Sequence, residues 1–401
     1  MRDEGAGAGP DLSAVLLPNG RCVRLELAWG RVKAVEPAPG PARLCAMPPP
    51  VDPHVHLDKT HTAHRCRAAA PGLMGAIEAM AADRAHWTIA DLTARMGRAL
   101  GEIRAAGYGA VRSHVDWTEL EEPPAWAALA EAAARVPELR VLRAALCPLD
   151  LIGDPDGGPA IAARVAETGG ALGAFVWMNE DLEAKIARVF ALAERHDLLL
   201  DFHVDEGLEP EARGFDAIAD RAAATGMGGR VLCGHACALA VRPEAEARRS
   251  LEAAARAGIA LTVMPTTNLW LQDMAPGRSP RLRGLAPMLE ARAAGLSLCL
   301  GADNVRDAFY PHGAYDPLHV LRAAALAAHL EPAEWLDAIC AAPARALGLP
   351  EPAIAPGAPA DMVLIGAPSW DEAIGDPRAA RAVIRAGRLQ PEPSAFEEMP
   401  A

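Results

Sequence analysis

The sequence Val51-Asp52-Pro53-His54-Val55-His56-Leu57-Asp58-Lys59-Thr60 places two histidines at alternate positions after a short apolar run. In a β-strand the side chains at positions i and i+2 point to the same face, so His54 and His56 would converge on one point. Two imidazoles on one face can hold a zinc or iron ion. The alternative is a solvated histidine beside one that is hydrogen-bonded to the backbone, and the rest of the chain decides between the two.

The composition is that of a globular protein with a large core, because 51% of the 401 residues are hydrophobic and 23% are charged. An α/β barrel of this length forms one unit, although roughly 150 residues per domain would also allow more than one domain. The formal net charge of −13 argues against nucleic acid or an anionic membrane as a partner, because both bind basic surfaces. The charge places no constraint on a small-molecule substrate.

Cysteine usage and the chain start bear on the cellular compartment. The cysteines are scattered, mostly in apolar strand-like segments, at Cys22, Cys45, Cys66, Cys147, Cys233, Cys237, Cys299 and Cys340. This distribution predicts reduced thiols rather than a disulfide framework. Residues 1–10 lack the pattern of a secretory signal, and no segment is long enough to span a bilayer. We therefore predict a cytoplasmic protein.

Apolar segments alternate with alanine-rich helical segments along the middle of the chain. Strands are predicted at 109–115, 140–147, 171–177, 198–204, 230–235, 259–264 and 296–301. With the strand that contains His54 these make the eight strands of a (β/α)8 TIM barrel. Segments such as 181–196 and 243–257 have apolar residues at helical spacing, and helices at 316–329 and 332–347 follow the last strand. The predicted barrel domain spans residues 47–352.

Both ends of the chain show the pattern of short antiparallel strands. Near the start, the segments 14–17, 22–28 and 30–35 are separated by turns such as Pro18-Asn19-Gly20. The segments 360–365 and 382–389 repeat this pattern near the other end. We predict that residues 1–46 and 353–401 together form one small β-sandwich satellite domain.

Polar residues collect where the predicted strands end, which is where barrels of this kind carry their chemistry. These positions hold His54, His56, His203, Glu206, His235 and Asp303. Each could be a satisfied polar residue, but their shared rim predicts one site for metal binding and proton transfer. His114 at the end of strand two and His312 on the loop after strand eight are further candidates. His61 is predicted to be a solvated loop residue.

These elements resemble the amidohydrolase superfamily, and within it the cytosine deaminase branch. The resemblance is carried by residues 51–60, Phe202-His203-Val204-Asp205-Glu206, Gly234-His235 and Gly301-Ala302-Asp303-Asn304, and it extends over nearly the whole chain. It implies a metal ion held by His54, His56, His203 and Asp303. It also implies that Asp303 takes the proton of the attacking water, that Glu206 protonates the ring, and that His235 orients the attacking group.

The lysines bear on the number of metal ions. Binuclear members of the superfamily bridge two metals with a carboxylated lysine at the end of strand four. This chain has only Lys33, Lys59 and Lys185, and its fourth strand ends in Phe175-Val176-Trp177-Met178-Asn179. We therefore predict one divalent metal ion, Zn2+ or Fe2+, since histidine and carboxylate ligands suit both.

The sequence predicts the type of reaction more narrowly than it predicts the substrate. Cytosine deaminases of this branch have a glutamine where Leu149 stands, a Pro-His-Phe-like element near Trp177, and a second aspartate in place of Asn304. A site that loses a polar partner can change its discrimination by ~10⁴–10⁵. We expect hydrolytic deamination of cytosine, 5-methylcytosine, isoguanine or a related ring, with a methylated or larger ring or an amino-triazine favoured by the apolar replacements. The predicted substrate-binding residues are Leu149, Trp177, Asn304, Phe309, His114 and His312.

Two other functions remain open at this point. Some relatives that share an element like Asp303-Asn304-Val305-Arg306-Asp307 release an alkylamine from an N-alkyl ammelide-type triazine, and others open a cyclic amide. Glu206 favours a true deaminase over both. A non-catalytic barrel that only binds a heterocycle or a metal is disfavoured, because every ligand and the acid are present. Barrels of this kind often associate, so a homo-oligomer is compatible with the sequence.

Overall fold

The computed structural model describes residues 10–391, so the predictions for residues 1–9 and 392–401 lie outside the described residues. The described chain contains a seven-stranded mixed sheet and an eight-stranded parallel sheet. The strands are β1 Val15–Leu16, β2 Cys22–Ala28, β3 Arg31–Pro37, β4 Leu44–Met47, β5 Val51–Val55, β6 Ala110–Asp116, β7 Arg140–Pro148, β8 Ala171–Val176, β9 Leu200–Val204, β10 Val231–His235, β11 Ala260–Val263, β12 Ser297–Leu300, β13 Met362–Ile365, β14 Arg381–Arg385 and β15 Arg388–Leu389.

The eight-stranded sheet runs in sequence order from β5 to β12, and every neighbouring pair is parallel. A parallel bridge between Val55 and Asp303 joins the chain after β12 to β5. The Asp303 N–H donates to the carbonyl oxygen of His54 at 2.9 Å. This contact brings the first and last strands together, so the predicted TIM barrel is confirmed.

Helices connect the strands and pack outside the barrel. They are α1 Gly72–Arg84, α2 Ile89–Ala105, α3 Pro124–Ala134, α4 Leu149–Ile152, α5 Gly158–Thr168, α6 Leu182–His196, α7 Gly214–Thr225, α8 Glu244–Ala257, α9 Pro265–Leu271, α10 Met288–Ala293, α11 Pro317–Ala328, α12 Ala341–Ala346 and α13 Trp370–Gly375. Short 3-10 helices cover Gly228–Arg230, Cys237–Ala240 and Pro332–Ile339. None of the helices between residues 10 and 391 is long and apolar enough to cross a membrane.

The boundaries of these helices follow local chemistry. Helix α2 begins after Thr88, whose side-chain oxygen accepts the N–H of Asp91. Helix α8 ends at Gly258, which adopts the left-handed conformation with φ of 77°. The helix predicted at 332–347 is wrong as one element, because the 3-10 helix ends before Cys340 and α12 begins after it. Pro343 lacks an N–H and would clash with the carbonyl four residues earlier, so a continuous helix is excluded.

The main core lies between the barrel and its helices. Strands β5, β9 and β10 are buried on both faces, as parallel strands covered by helices are. Phe190 of α6 stacks on Phe202 of β9 with ring centroids 6.0 Å apart. All eight cysteines are free, and all but Cys22 are buried, which confirms the prediction of buried thiols.

The two chain ends meet in the second sheet, whose strand order is β15-β14-β13-β4-β1-β2-β3. Strand β13 pairs antiparallel with β4, so Val363 lies opposite Met47. A separate apolar cluster, which includes Val23 and Leu364, gives this sheet its own core. The predicted satellite domain from both chain ends is confirmed for the described residues. Because β4 continues through Pro48–Pro50 directly into β5, the satellite sheet anchors the strand that carries His54.

Candidate active site

Three imidazoles and one carboxylate converge at the C-terminal end of the barrel. The Nε2 atom of His203 lies 3.0 Å from that of His54 and 3.1 Å from that of His56. The Asp303 Oδ1 atom lies 3.1 Å from the Nε2 of His56 and 3.6 Å from the Nε2 of His54. All four side chains are at most 4% exposed. The structure therefore brings together the four predicted metal ligands, which we call the ligand cage.

The ligand cage suits a divalent metal ion by its spacing and by its chemistry. Ligand bonds of about 2.0–2.2 Å in a tetrahedral site leave neighbouring donor atoms roughly 3.3–3.6 Å apart, close to the distances seen here. Both carboxylate oxygens of Asp303 are buried without a hydrogen-bond donor among the described residues. Burial lowers the pKa of His54, His56 and His203 well below the usual value, so all three are neutral. Neutral imidazoles and an unpaired carboxylate are what a metal ion requires.

Backbone contacts hold the cage in shape. The Asp52 carboxylate accepts the N–H of His54 and the N–H of Ala302, both at 3.0 Å, and so ties the two strand ends together. A Cβ atom at Gly301 would lie 3.1 Å from the backbone of His54, so only glycine allows this approach without displacement. Asp303 has φ of 60°, a left-handed conformation that aspartate tolerates better than most residues. This role of Asp52 was not predicted from the sequence, although Asp52 lies two residues before His54.

Glu206 lies beside the cage in a position fixed by its neighbours. Asp205 accepts the N–H groups of Gly214 and Phe215, each at 3.0 Å, which fixes the turn after β9. Gln272 donates to the Glu206 carbonyl oxygen at 2.6 Å. Glu206 is 4% exposed, and burial raises its pKa to about 8. A carboxyl group in this environment is protonated at neutral pH and can donate a proton.

His235 lies between Glu206 and the cage. Its Nδ1 atom is 3.6 Å from Glu206 Oε1 and 3.1 Å from the Asn268 side-chain nitrogen. Burial lowers the pKa of His235 to about 3, so the ring is neutral. Because Asn268 donates to Nδ1, the proton of the neutral ring lies on Nε2, which is buried and has no partner among the described residues. This N–H is available to a bound molecule.

His114 packs under the cage rather than against the cavity. Its ring centroid is 4.0 Å from that of His54, and its Nε2 lies 3.1 Å from Asp201 Oδ2. The same oxygen accepts from Arg112 at 2.8 Å, and all three side chains are at most 2% exposed. The structure thus places His114 beside the ligand cage, and His114 does not line the cavity.

A cavity of about 350 Å³ opens in front of the cage. It is lined by His56, Lys59, Leu73, Met74, Ile77, Met80, Ala81, Arg84, Asp116, Thr118, Leu146, Cys147, Pro148, Phe175, His203, Glu206, His235, Asp303, Asn304 and Phe309. Of the predicted substrate-binding residues, Asn304 and Phe309 line this cavity. Helix α1 supplies half of the apolar lining residues, a role that was not predicted from the sequence.

Besides His114, three predicted substrate-binding residues lie outside the cavity lining. Leu149 is fully buried in the core, because β7 ends at Pro148 and Leu149 begins α4. Trp177 packs on Phe175, with ring centroids 6.0 Å apart, and only Phe175 lines the cavity. His312 is exposed and contacts the ring of Trp270, whose centroid is 5.2 Å away.

The comparisons with known proteins identify the family. Residues 72–389, which include His203, Glu206, His235 and Asp303, match the Amidohydrolase family. The chain belongs to the amidohydrolase family. A pterin deaminase of Rhizobium rhizogenes (strain K84) is 35% identical to this amidohydrolase over 379 residues, which cover 90% of this chain and 86% of that protein.

Solved structures agree with this assignment. The 5-methylcytosine deaminase from Klebsiella pneumoniae, liganded with phosphonocytosine, matches this amidohydrolase with a TM-score of 0.82 and 25% identity, covering 97% of this chain and 99% of that chain. The N-isopropylammelide isopropylaminohydrolase from Burkholderia multivorans has a TM-score of 0.76 at 24% identity, covers 94% of this chain and 98% of that one, and supports the fold. The predicted resemblance to the cytosine deaminase branch is confirmed.

The cavity of this amidohydrolase also has a charged wall that the sequence analysis missed. The Lys59 Nζ atom lies 2.8 Å from Asp116 Oδ1, and Arg84 donates to the other oxygen of Asp116. Burial raises the pKa of Asp116, but Lys59 and Arg84 outweigh it and lower the pKa below the usual value. The signal was present, since Lys59 is one of only three lysines and lies in the stretch that carries His54 and His56.

The prediction that His61 is solvated is wrong. His61 is 7% exposed, has φ of 60°, and lies 3.7 Å from Glu102. Its backbone N–H donates to the carbonyl oxygen of Val305, which draws the loop after β5 against the loop after β12. The residue is buried because two loops that are distant in sequence pack on each other.

Proposed function

We propose that this amidohydrolase is a metal-dependent hydrolytic deaminase of an amino-substituted N-heterocycle. The observation that carries the proposal is Glu206, a buried carboxyl group with a raised pKa that lines the same cavity as the ligand cage. A hydrolase that removes an amino group from a ring has to protonate a ring nitrogen, and a neutral carboxyl group is suited to that step. The net reaction converts C–NH2 and water into C=O and ammonia.

The residues divide the chemistry between them. The metal ion, when bound, supplies Lewis acidity that lowers the pKa of water and makes it nucleophilic at neutral pH. Asp303 accepts a proton from the attacking water and passes it to the departing amine. Glu206 donates its proton to the ring nitrogen beside the attacked carbon, so that negative charge does not accumulate on the ring. As the amine leaves and the C=O bond forms, the hydroxyl hydrogen passes to the Glu206 carboxylate and restores its protonated form. His235 donates its Nε2–H to the oxygen that becomes the carbonyl.

We propose a fused two-ring substrate of the pterin type ahead of a single pyrimidine ring. The pterin deaminase at 35% identity supports this choice. The cavity volume of about 350 Å³ lies in the range of small-molecule sites, ~300–1,000 Å³. Leu73, Ile77, Met80, Phe175 and Phe309 offer apolar surface for a second ring beyond the reacting centre. Cytosine, 5-methylcytosine and isoguanine are the next candidates.

The apolar wall is also compatible with a second candidate function, the release of an alkylamine from an N-alkyl amino-triazine. The side chains of α1 that line the cavity could surround an alkyl substituent as well as a ring. Only the nature of the leaving amine separates this reaction from deamination.

A substrate panel tests the proposal. Purified protein loaded with zinc or iron is assayed for ammonia release from pterin, isoguanine, cytosine, 5-methylcytosine and amino-triazines, and for isopropylamine release from N-isopropylammelide. Turnover of pterin above the single-ring compounds is the expected result. Ammonia from none of the rings would overturn the deaminase proposal, and amine release from the alkylated compound alone would establish the alternative.

A further inference from the structure

Lys59 is the one lysine among the residues that line the cavity. It is 4% exposed and lines the cavity together with Asp116 and Arg84. Its Nζ atom also lies 5.1 Å from the centroid of the Phe309 ring, which lines the same cavity. A lysine so deeply buried requires hydrogen-bond acceptors for its N–H groups.

The described residues provide Lys59 with fewer acceptors than it has N–H groups. The ammonium carries three N–H bonds. Its contacts are Asp116 Oδ1 at 2.8 Å and His56 Nδ1 at 3.3 Å. Asp116 is shared, because its second oxygen accepts from Arg84. At least one N–H of Lys59 therefore has no acceptor among residues 10–391.

When a metal ion is bound, the contact with His56 does not lower the number of Lys59 N–H groups that lack an acceptor. The Nε2 atom of His56 faces the cage, 3.1 Å from His203 Nε2 and 3.1 Å from Asp303 Oδ1. A neutral imidazole that gives Nε2 to a metal carries its hydrogen on Nδ1. The Nδ1–H of His56 and the ammonium of Lys59 are then both donors, and only Asp116 remains as an acceptor.

We propose that Lys59, oriented by Asp116, binds an oxo group on the same ring that is deaminated. Resting on the deaminase function proposed above, this contact restricts the substrate to N-heterocycles that carry an amino and an oxo group together. Lys59 contacts a cage residue, so the group it binds lies near the reacting carbon rather than on a distant side chain of the substrate. A ring without the oxo group would leave a buried ammonium N–H unpaired, which is strongly unfavourable.

Matched pairs of rings test the proposal on the wild-type enzyme. The pairs are pterin with 2-aminopteridine and cytosine with 4-aminopyrimidine, in which the second compound lacks the oxo group and the lactam N–H that accompanies it. The comparison with Lys59→Met below assigns the difference to the oxo group. Binding is measured by calorimetry on the metal-loaded enzyme, and kcat/KM is measured for each compound that is turned over. We expect the oxo compound of at least one pair to bind about 10- to 100-fold more tightly. Equal affinity within both pairs would overturn the proposal.

The Lys59→Met variant should abolish that preference, so that the two members of a pair bind within a few-fold of each other. Lys33→Met is the matched control, because Lys33 forms an exposed ion pair with Glu26 at 2.6 Å and lies outside the cavity. Metal content and the unfolding midpoint are recorded for both variants. If Lys59→Met folds, keeps its metal and still prefers the oxo compound, the proposal is wrong; if it does not fold, the wild-type pairs decide.

A third compound separates two possible sources of the acceptor oxygen. 4-Aminopyrimidine-5-carboxylate offers a carboxylate oxygen but no ring oxo group. Lys59-dependent binding of this compound in preference to cytosine would overturn the oxo assignment. Calorimetry also separates this inference from the deaminase proposal: Lys59-dependent binding without ammonia release refutes only the reaction, whereas ammonia release from all four rings at equal rates refutes only the role of Lys59.

Discussion

The Nε2 atom of His54 lies 3.0 Å from the Nε2 atom of His203, although the two residues are 149 positions apart in the chain. Burial lowers the pKa of both imidazoles well below the usual value, so both rings are neutral at neutral pH. At this distance the two nitrogens can share one hydrogen, or both can bind one metal ion. The first prediction concerns this pair.

Purified protein should contain about one equivalent of zinc or iron per chain, and His203→Ala should lose nearly all of it, because one side of the cage is removed. Elemental analysis after gel filtration measures this. His64→Ala is the control, since His64 is exposed and follows the same stretch of sequence, and it should keep its metal. Two equivalents per chain would contradict the mononuclear site.

Glu206→Gln should lower kcat by about 10²–10⁴ while the metal content stays unchanged, because glutamine keeps the size of the side chain but cannot transfer a proton. Steady-state kinetics together with metal analysis tests this. Glu211→Gln, on the exposed part of the same loop, should leave kcat unchanged. A Glu206→Gln enzyme with wild-type turnover would remove Glu206 from the mechanism.

The rate should fall at alkaline pH. Burial raises the pKa of Glu206 to about 8, so the protonated form that donates to the ring is present below that pH and is lost above it. We expect kcat/KM to decrease as the pH rises through about 8, with a slope that approaches one proton. A pH profile between 6 and 10 measures it, and a kcat/KM that rises steadily over this range would show that Glu206 acts in its ionised form.

Arg112→Met should destabilise the fold by about 3–5 kcal/mol, because it leaves the buried carboxylate of Asp201 with only His114 as a partner. Denaturant unfolding at fixed metal concentration gives the difference. Arg135→Ala breaks an exposed ion pair with Glu131 and should change the free energy of unfolding by less than about 1 kcal/mol. Similar values for the two variants would mean that the Arg112–Asp201 pair does not support the barrel.

The strand pattern and the residues at strand ends were readable from the sequence. Period-two alternation and buried apolar runs are local properties, so the eight barrel strands were found with small errors at their ends. A parallel barrel brings all its strand ends to one rim, and this topological rule alone placed His54, His203, His235 and Asp303 together. In the structure, strands β5 to β12 are neighbours in the same order as in the sequence, as the strand pattern had already predicted.

The directions of the loop side chains could not be predicted from the sequence pattern. Leu149 was expected at the substrate, but Pro148 ends β7 and turns Leu149 into the core. His61 was expected in solvent, but the loop after β12 covers it. In both cases the direction of a side chain depends on a contact with a segment that is distant in sequence, which neither residue type nor spacing specifies.

The sequence by itself determined the barrel and the satellite sheet, because strand periodicity is a property of neighbouring residues. The residues at the strand ends, together with the family resemblance, predicted the ligand set. Only the tertiary structure decided that α1 contributes to the apolar wall of the cavity and that Lys59 and Arg84 share Asp116 within it. The physical reason is that a hydrogen bond between residues far apart in the chain exists only after the strands and loops that carry them have packed. That packing also leaves Lys59 able to donate an N–H hydrogen bond to an acceptor atom of a substrate.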